Sequence, residues 1–311
     1  MQFLKPSLLA LGIASLLATA PAYALNSRSF VKSTGLDSNP CNLAAPCRTF
    51  QQAVNSTSPN GEVDVLDTAG YGAFTVSNPI VIINDVGLAG VQATSGVGIT
   101  INTTGPVELK GLTIEGTGTG SIGIQYTAAG KLFVHDCAIS GFTTAGIAYQ
   151  PNGTSSILVT NTTIVGNGSF GINVAPTALS STDIVQATLL VDASFNHTAI
   201  QVIGDGLNTS AFMGVVIQNG TISNNNTGLN VQSSGAITNV FVRNEIVMAN
   251  ATGLSLSGTA PNGLSLTLGG DTIATNFTAI TVTGGTLKSF GDNYATDNNG
   301  SLPSPTAKSK Y

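Results

Sequence analysis

The sequence predicts an all-β chain wound into a single-stranded parallel β-helix, a solenoid of about nine coils. Three observations predict it. A short tetrad returns at a fixed interval, no segment of the repeat shows a helical stripe, and only 8% of residues are charged while Gly supplies 37 positions. An ordinary soluble chain carries about 25% charge. Where equivalent residues of successive coils stack at about 4.8 Å, like charges align and repel, so Asn, Thr and Ser take their place. The same composition excludes a nucleic-acid binder, which gathers Lys and Arg against phosphate. The 42% hydrophobic content excludes a disordered acidic chain.

Taken in order, Lys5, the apolar run Leu8 to Ala20 and Ala22-Tyr23-Ala24 read as a secretory leader over residues 1–24, cleaved before Leu25. The run is too short to cross a bilayer and nothing longer follows, so the mature chain is expected to lack a membrane span and to be secreted or periplasmic. Residues 25–60 read as an N-terminal cap. There Cys41 and Cys47 bound a short loop containing Pro46, which in an oxidising compartment suits a disulfide; two free exposed thiols are the alternative. Thr49 is a credible N-cap for a short amphipathic helix over residues 49–54 that covers the first coil. Cys137 lies in a strand-like stretch and reads as a small core residue, because a reactive thiol needs a basic partner and the chain has 2 His.

Residues 61–290 carry the repeat. It reads Gly98-Ile99-Thr100-Ile101, Gly123-Ile124-Gln125-Tyr126, Gly146-Ile147-Ala148-Tyr149 and Gly171-Ile172-Asn173-Val174. It continues with Ala199-Ile200-Gln201-Val202, Gly228-Leu229-Asn230-Val231, Gly253-Leu254-Ser255-Leu256 and Ala279-Ile280-Thr281-Val282, an interval of about 26 residues. An earlier copy starts at Ala73-Phe74-Thr75-Val76. Two further alternating segments follow each tetrad, as in Leu132-Phe133-Val134 and Cys137-Ala138-Ile139. Asn167, Asn196, Asn225, Asn250 and Asn276 fall at one recurring corner, where Asn tolerates left-handed backbone. A second stack runs through Asp136, Asn161, Asn219 and Asn244. The many Asn-x-Ser/Thr triplets follow from this stacking and are not read as glycosylation sites. Residues 291–311, with Pro303 and Pro305, lose the pattern and read as a loose tail.

Phe30-Val31, the run from Gly35 to Cys41, and Pro46-Cys47-Arg48-Thr49-Phe50-Gln51-Gln52-Ala53-Val54 resemble the N-terminal cap of secreted bacterial right-handed β-helix proteins, the pectate-lyase-like fold group. Gly61-Glu62-Val63-Asp64-Val65-Leu66-Asp67 resembles the entry to the first coil, and Gly111-Leu112-Thr113-Ile114-Glu115-Gly116 a mid-coil phrase. The resemblance implies right-handed winding, in keeping with the crossover rule. It is specific for fold and not for activity, since members include lyases, hydrolases, epimerases and adhesins.

In polysaccharide-active members the site lies on one parallel sheet and its flanking loops: carboxylates around Ca²⁺ plus a basic residue, or two or three carboxylates about one bond. Alternation places Thr75, Thr100, Gln125, Ala148, Asn173, Gln201, Asn230, Ser255 and Thr281 outward on the tetrad face. The next outward row is Ser77, Asn102, Thr127, Gln150, Ala175, Ile203, Gln232, Ser257 and Thr283. Neither row holds an acid or a base, so this face has no group for general acid–base chemistry. Its amides and hydroxyls, Thr100, Gln125, Asn173, Gln201 and Asn230, are candidate ligand-binding residues. The weak catalytic candidates are Glu62, Asp64 and Asp67, more simply a solvated first coil paired with Arg48. His135 beside Asp136, and His197, are poorer candidates, and Arg243 beside Glu245 reads as a surface ion pair.

On the second strand Phe133, Leu158, Val216 and Phe241 form an outward apolar ladder, bounded by Glu108 and Thr267. It is either covered by the tail or a contact surface, and a one-residue slip in register would bury it. The expectation is an exported β-helix with no catalytic constellation, no metal and no cofactor. It would serve as a structural or interaction protein toward an extracellular polysaccharide or a protein at the cell surface. The alternative is a polysaccharide lyase, hydrolase or epimerase with loop-borne carboxylates.

Overall fold

A computed structural model describes residues 24–259, 263–300 and 302–307. The leader expected over residues 1–24 lies outside the described residues except for Ala24. The chain winds into a right-handed parallel β-solenoid of about nine turns. One face is a nine-stranded parallel sheet built from the tetrads, running from Phe74–Val76 through Gly120–Tyr126 and Thr198–Ile203 to Thr278–Val282. The other two faces form one continuous sheet. The register matches the repeat: Thr75, Thr100, Gln125, Ala148, Asn173, Gln201, Asn230, Ser255 and Thr281 are successive partners. Inside, Ile, Val and Leu from all three faces stack into a single dry core, in which Ile99, Ile124, Ile172 and Leu229 are fully buried.

Helix α1, Phe50–Ser56, closes the N-terminal end. Thr49 Oγ1 accepts the Gln52 N–H at 3.3 Å, Tyr71 O accepts the Phe50 N–H at 3.1 Å, and Asp37 accepts the N–H groups of Arg48 and Thr49, so Thr49, Phe50 and Gln52 have acceptors at the helix start. The helix lays Phe50 against Tyr71 and Phe74, with ring centroids 5.2 and 5.1 Å apart. Cys41 and Cys47 are joined as a disulfide beside it. Strand Asn26–Val31 pairs with Thr57–Val65. At the other end Tyr294–Thr296 pairs with Thr272–Ala274, and Thr306–Ala307 with Lys288–Ser289, so the ladder extends past Phe290.

The two corner stacks differ from each other, and one differs from expectation. Asn167, Asn196, Asn225, Asn250 and Asn276 do not occupy left-handed backbone. The residue before each does: Gly166, Phe195, Asn224, Ala249 and Thr275 have φ between 54° and 67°. That kink turns the following Asn inward, where it is buried. From Asn196 to Asn298, which adds a sixth rung, each Oδ1 accepts the backbone N–H of the Asn below at 2.9 to 3.0 Å and the side-chain amide N–H of that same Asn, while Asn167 Oδ1 accepts the Phe142 N–H at 3.1 Å. Each Nδ2 from Asn196 onward also donates to a strand carbonyl, as Asn225 does to Ala193 O at 3.1 Å. The left-handed argument belongs instead to Asp136, Asn161, Asn219 and Asn244, which have φ from 46° to 57° and are exposed. The coil through Ile184–Ser194 lacks this bend; the strand opposite accommodates Asn161 as a bulge between Thr160 and Thr162.

Cys137 is buried and free, and burial pushes its thiol up to about 11, as expected of a core residue. Arg243 and Glu245 are not a surface pair. Left-handed Asn244 separates them, so Arg243 is exposed while Glu245 turns into the core.

Asn225→Ala leaves Asn196 without its acceptor and opens a void, and is expected to cost about 2–4 kcal/mol. Asn219→Gly, at an exposed left-handed position, is expected to change stability by less than about 0.5 kcal/mol. Urea unfolding of the two variants checks the contrast.

Candidate functional site

The tetrad face is neutral, as its sequence requires. Thr100, Gln125, Asn173, Gln201 and Asn230 line up in one half-buried row, and Ala148 interrupts it. Asn173 Oδ1 is buried with no donor among the described residues. The neighbouring row brings Ile203, Gln232 and Ser257 together. No proton carrier stands on either row.

The N-terminal acids do not converge. Glu62 and Asp64 share an outward face and are bridged by Arg28, not Arg48; Arg28 Nε lies 3.0 Å from Glu62 Oε1, and its Nη2 donates to Asp64 Oδ1 at 2.8 Å. Partial burial and the Asp64 charge push the Glu62 carboxyl up, against the pull of Arg28. Arg48 donates to Gly70 O at 2.8 Å and lies over the Tyr71 ring. Asp67 is taken by Ser33 and the Tyr71 hydroxyl. Burial raises its carboxyl, but those hydrogen bonds outweigh burial and hold it below the ordinary value. His135 and Asp136 form no dyad. The His135 ring lies along Phe133, 6.2 Å between centroids, with Nδ1 against Thr160 Oγ1, while Asp136 turns outward and accepts from Asn161. His197 is exposed beside Asn226. Among the described residues no group of three or more His, Cys, Asp and Glu could hold a metal ion.

The second-strand face carries a groove of about 710 Å³. Its floor is the apolar ladder from Leu158 onward, and Phe133, with Glu108 as its other partner, lies outside the lining. Phe133, Leu158, Thr188, Val216, Phe241, Thr267 and Lys288 are successive partners, all half-buried and facing outward. Thr188 interrupts the apolar series between Leu158 and Val216. Beside this row runs a polar one of Ser156, Gln186, Asn239 and Ser265, with Gly214 between Gln186 and Asn239. Gly214 leaves that position without a side chain; a Cβ there would meet the Phe212 ring at 3.0 Å. Phe290 stands edge-on to Phe241, 5.9 Å between centroids, at the end marked by Lys288. No carboxylate lines the groove. Among the described residues the chain after Phe290 extends the sheet at Lys288–Ser289 as a further rung. The amide row was legible in the alternation, two positions before each ladder residue, but only the apolar positions attract notice in a linear reading.

Residues 61–189 match the family model of the right-handed beta helix region. The crystal structure of pectate lyase Pel9A superposes with a TM-score of 0.64 at 14% identity, covering 90% of this chain and 80% of that one. An alginate lyase from Paenibacillus sp. superposes with a TM-score of 0.55 at 15% identity, covering 84% of this chain and 94% of that one. No curated protein matches by sequence. The chain is a right-handed parallel β-helix of the pectate-lyase-like fold, and at such low identity the likeness is one of fold alone.

Arg28→Ala is expected to leave the unfolding midpoint nearly unchanged, because the pair it breaks is exposed. Asp67→Ala strands the Ser33 N–H and hydroxyl, while the Tyr71 hydroxyl keeps the Asp67 backbone carbonyl at 2.7 Å, and the change is expected to cost about 1–2 kcal/mol. Thermal unfolding of both variants measures the difference.

Proposed function

We propose that this is a non-catalytic interaction protein that holds an extended, weakly charged polysaccharide chain along the groove of its second face. The observation that carries the reading is the groove's lining. A floor of Leu158, Val216 and Phe241 offers apolar surface to the C–H faces of sugar rings. The parallel row of Gln186, Asn239 and Ser265 offers donors and acceptors to hydroxyls. The strands it crosses, from Ser155–Val165 to Thr286–Ser289, span about 24 Å at about 4.8 Å per step. That length suits several residues of a polymer. Lys288 at one end accommodates an occasional acidic group. Lys288 is the one titratable side chain in the lining, and with no carboxylate beside it neither the acid–base pair of a hydrolase nor the carboxylates that hold a lyase's cation are assembled there.

Export fits this role. Among the described residues no helix is long and apolar enough to cross a membrane, and the Cys41–Cys47 disulfide suits an oxidising compartment. The leader-like segment before Leu25 would deliver the chain there.

A glycan array followed by calorimetry on the best ligand is expected to give binding without cleavage. Phe241→Ala is expected to weaken it about 10-fold or more, and Thr100→Ala on the tetrad face to leave it unchanged. Release of unsaturated or reducing ends from the bound polymer would overturn the non-catalytic reading. Equal loss from both variants, or no ligand across the array, would overturn the groove assignment.

A further inference from the structure

Glu245 is the one carboxyl among the described residues with a buried oxygen that has no hydrogen-bond partner. It sits at the corner that in other coils is filled by Cys137, Thr162 or Gly220, each turned inward by the left-handed residue before it. Its residue exposure is 1%. Glu245 Oε2 accepts the Gly220 N–H at 3.0 Å, and Oε1 accepts nothing. The absent side chain of Gly220 makes the room. A Cβ placed there would lie 3.1 Å from Glu245 Oε1 and 2.1 Å from the Val191 carbonyl oxygen, so both oxygens border the space that Gly220 leaves. An ionised carboxylate facing a carbonyl oxygen is repelled; a carboxylic O–H facing it has an acceptor.

The rest of the corner continues the same chain of bonds. Asp271 Oδ1 accepts the Glu245 N–H and Oδ2 the Gly269 N–H, each at 2.9 Å, and Asn293 Oδ1 accepts the Asp271 N–H at 2.9 Å. The charged groups that bear on Glu245 are both acidic, Asp271 from the next coil and Asp192 from strand Ile184–Ser194, while Asp292 bears on Asp271. Arg243, two residues away, is exposed on the opposite side of the bend at left-handed Asn244.

We infer that the Glu245–Asp271 corner is a proton-held brace: Glu245 is carried as the uncharged acid, and the coils around it are most firmly held in mildly acidic surroundings. Burial lifts the Glu245 carboxyl to about 8 despite the Gly220 N–H, with the charges of Asp271 and Asp192 adding to the rise. Burial likewise lifts Asp271 to about 6, against the N–H groups of Glu245 and Gly269 and helped by Asp292. In the unfolded chain a Glu titrates at about 4.3. Between that value and the folded one the native state binds the extra proton, so stability falls as pH rises across the window and levels off above it.

Thermal unfolding of the protein from pH 5 to pH 8.5 is expected to show the midpoint falling by about 5 °C or more. Glu245→Gln keeps an acceptor for Gly220 and gains a permanent donor toward Val191. It is expected to lose most of that slope and to melt above the wild type at pH 8.5. Selective ¹³C labelling of Glu carboxyl carbons reads the site directly in the wild type, whether or not the variant folds. A Glu245 midpoint above about 6.5 supports the brace, and one near the ordinary value of about 4.3 overturns it. An identical pH slope in the wild type and Glu245→Gln also overturns it.

Discussion

The structure depends on one constraint: each strand residue of the coils has its counterpart from the neighbouring coils directly above and below it, about 4.8 Å away. Stacking of like on like makes any charge on a face a column of charge and any bare amide a column of unpaired groups. The chain meets the first problem by composition and the second by the buried Asn ladder from Asn167 to Asn298. Each amide there completes its neighbour's hydrogen bonds, so the polar column costs no unsatisfied group inside an otherwise apolar core. The kinks that aim these side chains come from the residue just before each, which is why Ala249 and Thr275 sit in left-handed backbone that residues of their kind seldom adopt.

Most of the fold was legible because the period is carried by the core itself. The tetrads fix the inward Ile, Leu and Val positions, and fixing those fixes the pairing of Thr100 with Gln125 and of Gln201 with Asn230. Thr49 and Phe50 announced the capping helix through local chemistry alone. What stayed hidden were pairings set by the third dimension. Arg28 reaches Glu62 and Asp64 only because strand Asn26–Val31 lies against Thr57–Val65. Arg243 and Glu245 look like partners in one dimension until the bend at Asn244 sends them to opposite sides. The groove was half legible. Its apolar floor was visible as a ladder, while Thr188 lay in the coil whose spacing departs from the repeat.

The neutrality of the tetrad face and the concavity of the second face are complementary results of the same stacking. The tetrad face presents hydroxyls and amides at equal spacing, with Ala148 the one apolar member of its row. A face whose side chains alternate in size between Phe241, Val216 and Thr188, with Gly214 beside them, acquires relief. Recognition on such a scaffold needs no loop to fold over the ligand, because the strands already hold their side chains in fixed rows.

The sealed N-terminal end has a consequence for how such a rod changes size. Phe50 and Tyr71 give one terminus a fixed identity, whereas Asn225 and Asn250 meet the rungs beside them through interchangeable bonds. Gain or loss of a whole turn in the interior therefore alters reach by a single increment while every junction stays chemically the same. Length is free to vary in discrete quanta without redesign of the interior.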